Sequence, residues 1–154
     1  MKVAFTGHRP AKLGGYDNTR NKRRWFLAEI DVIMQTLPMP IEIISGMALG
    51  VDQWAATYAI TRSFPLHAYI PFEGQERLWP AEAQKKYKEI LLHATRIKYI
   101  CSPGYAAWKM MKRNEAMVDD CDLLIAVWDG SSGGTANCIG YATEIGKKII
   151  RLIP

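Results

Sequence analysis

Apolar residues along this chain gather in short segments separated by stretches of helical spacing. The segments are Lys2–Thr6, Ile41–Ser45, Leu66–Ile70, Arg96–Ile100, Leu123–Val127 and Ile149–Leu152. Most lack the polar alternation of a half-exposed strand, as do strands that parallel sheets bury on both faces. Between them, Phe26, Ile30, Ile33 and Leu37 recur at helical spacing within Thr19–Leu37. Ala83, Tyr87, Ile90, Leu91 and Ala94 do the same within Ala81–Ala94. Asp52–Arg62 and Ala136–Gly146 are predicted as further helices, the second ending at a glycine stop signal. Pro38-Met39-Pro40 blocks helix continuation and predicts a tight helix-to-strand connection. The alternation of strand and helix predicts an α/β fold: one Rossmann-like, doubly wound, mainly parallel sheet of about six strands with helices on both faces. No repeat or linker divides it, so residues 1–154 are read as a single domain.

Composition changes this picture little. The chain is 49% apolar and 23% charged, ordinary values for a folded domain. No apolar run approaches the roughly 20 residues of a membrane span, and the start of the chain has no secretory h-region. A cytoplasmic protein without membrane contact is the expectation. Cys101, Cys121 and Cys138 have neither zinc nor CxxC spacing, so buried thiols are expected and no metal site. The net charge is +5, with its densest cluster at Arg20, Lys22, Arg23 and Arg24. That cluster can meet nucleic-acid phosphates, but a solvated helix face explains it better.

Chemistry in a parallel α/β sheet gathers outside the carboxyl ends of the strands. Thr6-Gly7-His8-Arg9-Pro10 follows the first strand: a hydroxyl, a glycine that admits close approach, a titratable ring and a guanidinium suited to phosphate. Ser45-Gly46-Met47-Ala48-Leu49-Gly50-Val51-Asp52 follows the second and leads into a helix start, an anion-favouring position. Asp52 is there either a helix cap or a carboxylate facing a ligand. After the third strand, Phe72 or Trp79 can stack on a base, and Glu73 or Gln75 can read its edge. The richest loop follows the fifth strand: Asp129-Gly130-Ser131-Ser132-Gly133-Gly134-Thr135, whose N–H groups and hydroxyls can converge on one phosphate. Arg113 and Asn114, on the preceding helix, can add a cation and a polar contact. Neither the P-loop pattern nor G-x-G-x-x-G is present, which disfavours a P-loop nucleotidase and an ordinary dinucleotide dehydrogenase.

Several of these segments together carry a family resemblance. Thr6–Pro10 with Leu13-Gly14-Gly15-Tyr16, then Ser45–Asp52, then Arg113-Asn114, Met117-Val118-Asp119 and Asp122–Gly130, and finally Gly133-Gly134-Thr135 occur in order. The set resembles the YpsA-like family of the SLOG superfamily, and its second loop is similar to that of DNA-processing protein A. The resemblance implies a Rossmann-like fold and a nucleotide-derived ligand of the NAD, ADP-ribose or nucleoside monophosphate kind. It requires no cofactor and makes a homo-oligomer plausible. Related LOG phosphoribohydrolases use P-G-G-x-G-T-x-x-E, whose glutamate is linked to catalysis. Here that position holds Cys138, and Glu144 is nine residues beyond Thr135, so the hydrolase role does not transfer.

Three functions follow, in this order. The first is a sensor or binding protein that holds a nucleotide without turnover. The second is an N-glycosidic hydrolase or transferase, with Asp52 as the leading acid and Glu115 behind it; Asp129 and Glu73 are the other acids available. The third is single-stranded DNA binding by analogy with DNA-processing protein A.

Overall fold

The computed structural model describes the backbone of residues 1–154 and all side chains except those of residues 16–18. Tyr16 of the opening motif therefore lies outside the described side chains. The six strands are β1 (Lys2–Gly7), β2 (Glu42–Ser45), β3 (Leu66–Ile70), β4 (Arg96–Tyr99), β5 (Leu123–Val127) and β6 (Lys148–Leu152). The helices are α1 (Gly15–Gln35), α2 (Val51–Thr61), α3 (Ala81–Leu92), α4 (Ala107–Asp120) and α5 (Gly134–Glu144), with a 3-10 turn at Pro10–Lys12. The expected doubly wound sheet is present and wholly parallel, in the order β4-β3-β2-β1-β5-β6.

Side-chain alternation along the strands sorts the core into two layers. Val3 and Phe5 of β1, with Leu123, Ile125 and Val127 of β5, pack against Phe26, Ile30 and Met34 of α1 and Ala55, Ala56 and Ala59 of α2. Tyr87 and Ile90 of α3 complete that layer. Ala4 and Leu124 point the other way, onto Met117 and Val118 of α4 and Cys138 and Ala142 of α5. The small residues of α2 let its axis come close to the sheet, which brings its N-terminus against the end of β1.

Two expectations change. All four residues of β4 are exposed, where a covered run was expected. Its place at the edge of the sheet leaves one side of the strand unpaired. Cys121 and Cys138 are buried, but Cys101, just beyond that edge strand, is only half-buried.

The strand order reverses direction between β1 and β5, where parallel α/β folds open a crevice. Their register pairs Thr6 with Ala126 and Gly7 with Val127, so both strands end together. The loops that follow them are therefore neighbours in space, although more than a hundred residues separate them in sequence.

Candidate functional site

The β1 loop is pressed onto the start of α2. A Cβ on Gly7 would stand 2.7 Å from the Val51 side chain, and one on Gly50 would stand 2.5 Å from the His8 carbonyl. Gly50 also has φ +92, which side chains rarely adopt. The two glycines thus allow the close approach, sealed by the Val51 N–H donating to the His8 carbonyl at 3.4 Å. Beneath, the Thr6 hydroxyl is hydrogen-bonded to the Cys138 thiol, which burial pushes up to about 11.

The β2 loop is folded by its own side chains. Ser45 Oγ donates to the Asp52 carbonyl at 2.7 Å and accepts the Met47 N–H at 3.1 Å. The Ala48 N–H donates to Asp52 Oδ2 at 3.3 Å. Arg113 enters from α4, donating through Nη1 to the Gly46 carbonyl and through Nε to Asn114 Oδ1 at 2.8 Å. Only a glycine fits at position 46, because a Cβ would lie 2.6 Å from that guanidinium. Asp52 and Arg113 are both buried. Burial raises the Asp52 carboxyl above its ordinary value, opposed by the charge of Arg113, the Ala48 N–H and the charge of Arg9. Burial also pulls Arg113 down, opposed by Asp52, yet a guanidinium stays cationic at neutral pH.

The loop before α5 is pinned from three sides. Asp129 accepts the Ser131 N–H at 2.8 Å, and contacts from Ser131 hold its carboxyl well below the usual range. The buried His8 ring brings Nε2 within 2.9 Å of Asp129 Oδ1 and 3.0 Å of the Asp129 N–H. Trp128 Nε1 donates to the Ser131 carbonyl at 2.7 Å, and Arg151 lies 4.5 Å over the Trp128 ring. Lys12 Nζ reaches across from the 3-10 turn to Ser131 Oγ at 2.8 Å and the Ser132 carbonyl at 2.9 Å. The loop ends at Gly133, which caps α5 without any side-chain hydrogen bond. The first N–H groups of that helix have no partner within it.

These loops enclose a cavity of about 390 Å³. Of the expected residues, Thr6, Gly7, His8, Arg9, Asp52, Arg113, Asn114 and the run from Ser131 through Ser132, Gly133 and Gly134 to Thr135 line it. Ser45, Gly46 and Gly50 shape the adjoining loop without lining the cavity, and Asp129 and Gly130 form the turn behind it. Glu115 is not in the lining; it pairs with Lys112 at 3.0 Å. Phe72 lines a neighbouring cavity instead. The basic residues Arg20, Lys22, Arg23 and Arg24 sit on α1 and line neither.

Ala11, Lys12, Met110 and Ala136 are lining residues that the sequence reading missed. Lys12 is one lysine among many, and only its bonds to the distant Ser131 loop mark it. Arg9 also lines the cavity, and its guanidinium has no ion pair or hydrogen bond among the described residues. No group of three His, Cys, Asp or Glu that could hold a metal ion occurs among the described residues. Nor is any helix among them long and apolar enough to cross a membrane.

Several solved structures are similar in fold, two of them DNA processing proteins A. DNA processing protein A from Streptococcus pneumoniae aligns with a TM-score of 0.66 at 20% identity, over 97% of this chain and 49% of that one. The Helicobacter pylori protein of the same name, described for its single-stranded DNA binding mode, aligns at 0.68 and 19% identity, over 98% and 64%. This chain thus spans about half to two-thirds of those proteins. By sequence, it is 38% identical over 130 residues to the uncharacterized SPbeta prophage-derived protein YoqJ of Bacillus subtilis, covering 72% of this chain and 75% of that protein. The model of the YpsA family, described as the YspA SLOG family, matches residues 3–148, and the chain belongs to that family.

Proposed function

We propose that the protein binds a nucleotide-derived ligand of the NAD, ADP-ribose or nucleoside monophosphate kind, with a phosphate seated at the start of α5. The observation that carries this reading is one cavity at the β1/β5 crossover, where an uncapped helix N-terminus meets Lys12, Arg9 and Arg113. Helix N–H groups and fixed cations are the donors that phosphate oxygens take. A volume of about 390 Å³ lies in the usual range for small-ligand sites. The glycines at 133 and 134 keep the approach to those N–H groups free of side chains. Titration calorimetry against NAD, ADP-ribose, AMP and cyclic dinucleotides tests the reading. At least one should bind below millimolar concentration, more weakly as salt rises. No binding of any of them at millimolar concentration refutes it.

Turnover is the second reading, and the position of Asp52 favours it. A buried carboxyl with a raised pKa, in the same cavity as the phosphate donors, can give or take a proton during N-glycosidic cleavage. Base release from a nucleotide panel, abolished in Asp52→Asn, is the required result. A flat assay across the panel leaves a binding protein. Likeness to the Helicobacter pylori protein also motivates a single-stranded DNA test. Affinity for oligonucleotides but not mononucleotides would replace the small-ligand reading.

A further inference from the structure

Beside the first cavity lies a second of about 400 Å³, and Arg9 and Met110 form part of both linings. Its floor and walls are Phe72, Gln75 and Trp79 from the loop after β3, and Tyr105 from the loop after β4. The two loops leave the sheet together, because the Cys101 N–H donates to the Pro71 carbonyl at 3.0 Å.

Both walls are held in place. Lys109 of α4 is buried, and its ammonium donates to three carbonyls in a row: Ser102 at 2.8 Å, Pro103 at 3.2 Å and Gly104 at 2.7 Å. An ammonium has three donors, so this clamp uses them all. It sets Tyr105 edge-on to Phe72, with ring centres 6.1 Å apart at 86°. On the other wall, Trp79 packs edge-on to Tyr87 at 5.3 Å. Gln84 ties that loop down through the Arg77 and Trp79 carbonyls at 3.2 and 2.9 Å.

Against these fixed walls, two features await a partner. Tyr105 is 75% exposed and Leu78 96% exposed, both at the edge of the cavity. Gln75 is only 7% exposed, and its Oε1 has no hydrogen-bond partner among the described residues. Its Nε2 makes only long contacts, 3.4 Å to the Gly46 carbonyl and 3.4 Å to the Tyr87 hydroxyl. A buried acceptor without a donor is costly, and the terminal amide torsion of glutamine is soft enough to turn toward an arriving N–H.

We propose that this second cavity receives the base of the nucleotide whose phosphate occupies the first, and that it selects a base bearing an exocyclic amine. The inference rests on the phosphate reading of the first cavity. The aromatic wall supplies a face for a planar ring, and Gln75 Oε1 supplies the acceptor that an amino group needs. Arg9, in both linings, stands between the base end and the phosphate end.

Calorimetry on the full chain with AMP, IMP and ribose 5-phosphate separates the two claims. AMP should bind at least ten-fold more tightly than ribose 5-phosphate, since stacking of a base on an aromatic ring is worth about that much or more. IMP, which presents a carbonyl where AMP has its amine, should bind several-fold more weakly than AMP. Tyr105→Ala should drive the AMP to ribose 5-phosphate ratio toward one. Gln75→Leu should erase the preference for AMP over IMP. Equal affinity for AMP and ribose 5-phosphate overturns the base site and leaves the phosphate site standing. No binding of any of the three overturns both. A deoxyadenosine oligonucleotide that binds where AMP does not moves the cavity to a polynucleotide and overturns the assignment.

Discussion

Replacing Gly134 by alanine should separate the fold from the binding site. Gly134 is the first residue of α5 and lines the cavity; a Cβ built there meets nothing within 4 Å. Alanine in place of glycine in a helix is worth about 0.5–1 kcal/mol, less at a terminus. For a domain of this size, that corresponds to a rise in Tm of at most about 2–4 °C. The same methyl group stands at the helix end where a phosphate would approach the free N–H groups. We expect affinity for the phosphate ligand to fall at least ten-fold while stability is unchanged or higher. Gly46→Ala is the contrasting control. There the methyl would be 2.6 Å from Arg113 Nη1, against a guanidinium held by the Gly46 carbonyl and Asn114 Oδ1. Overpacking and the loss of a charge-assisted hydrogen bond together cost about 2–4 kcal/mol. Guanidinium denaturation and calorimetry on the two variants read both quantities. Undiminished binding in Gly134→Ala would refute the placement of the phosphate at α5.

Three further outcomes are expected. Lys12→Met should weaken binding of the phosphate ligand roughly three- to ten-fold while changing stability by less than about 0.5 kcal/mol, because the lysine is exposed and bonds only to the Ser131 loop; equal affinity in wild type and variant argues against its role. Asp52, with a raised pKa, favours the folded state when protonated, so its contribution is present below the ordinary carboxylate value and lost as pH rises through the raised one. Asp52→Asn should therefore gain stability relative to wild type as pH rises above the ordinary carboxylate value, measured by denaturation at several pH values, and a difference that stays constant with pH would contradict the burial argument. Among the three cysteines, Cys121 and Cys138 are buried with thiols pushed up by desolvation, whereas Cys101 is half-buried. A disulfide reagent should label one thiol quickly in the native protein and the others only on unfolding.

Much of the architecture was legible along the chain. The runs Lys2–Thr6, Leu66–Ile70 and Leu123–Val127 identify strands because a strand covered on both faces is apolar at most of its positions instead of alternating. Glycines at 7, 46 and 50 stood out in the sequence, but their spacing could not say why each was needed. The structure assigns them to contacts with Val51, Arg113 and the His8 carbonyl. In sequence Asp52 stood ahead of Glu115 as an acid, because it follows a glycine-bearing loop at a helix start. The structure puts Asp52 in the cavity lining, while the rotation of α4 places Arg113 and Asn114 there and leaves Glu115 paired with Lys112.

What the sequence determined by itself was local: the order of strands and helices, and the glycine- and hydroxyl-bearing loops between them. Those follow from periodicity and backbone freedom, which act over a few residues. Only the tertiary structure could bring Lys12 to Ser131, His8 to Asp129 and Arg113 to Gly46. These pairs are 67 to 121 residues apart. Their meeting depends on the register of β1 against β5 and on the strand order reversing between them, and neither leaves a mark on the residues of one loop.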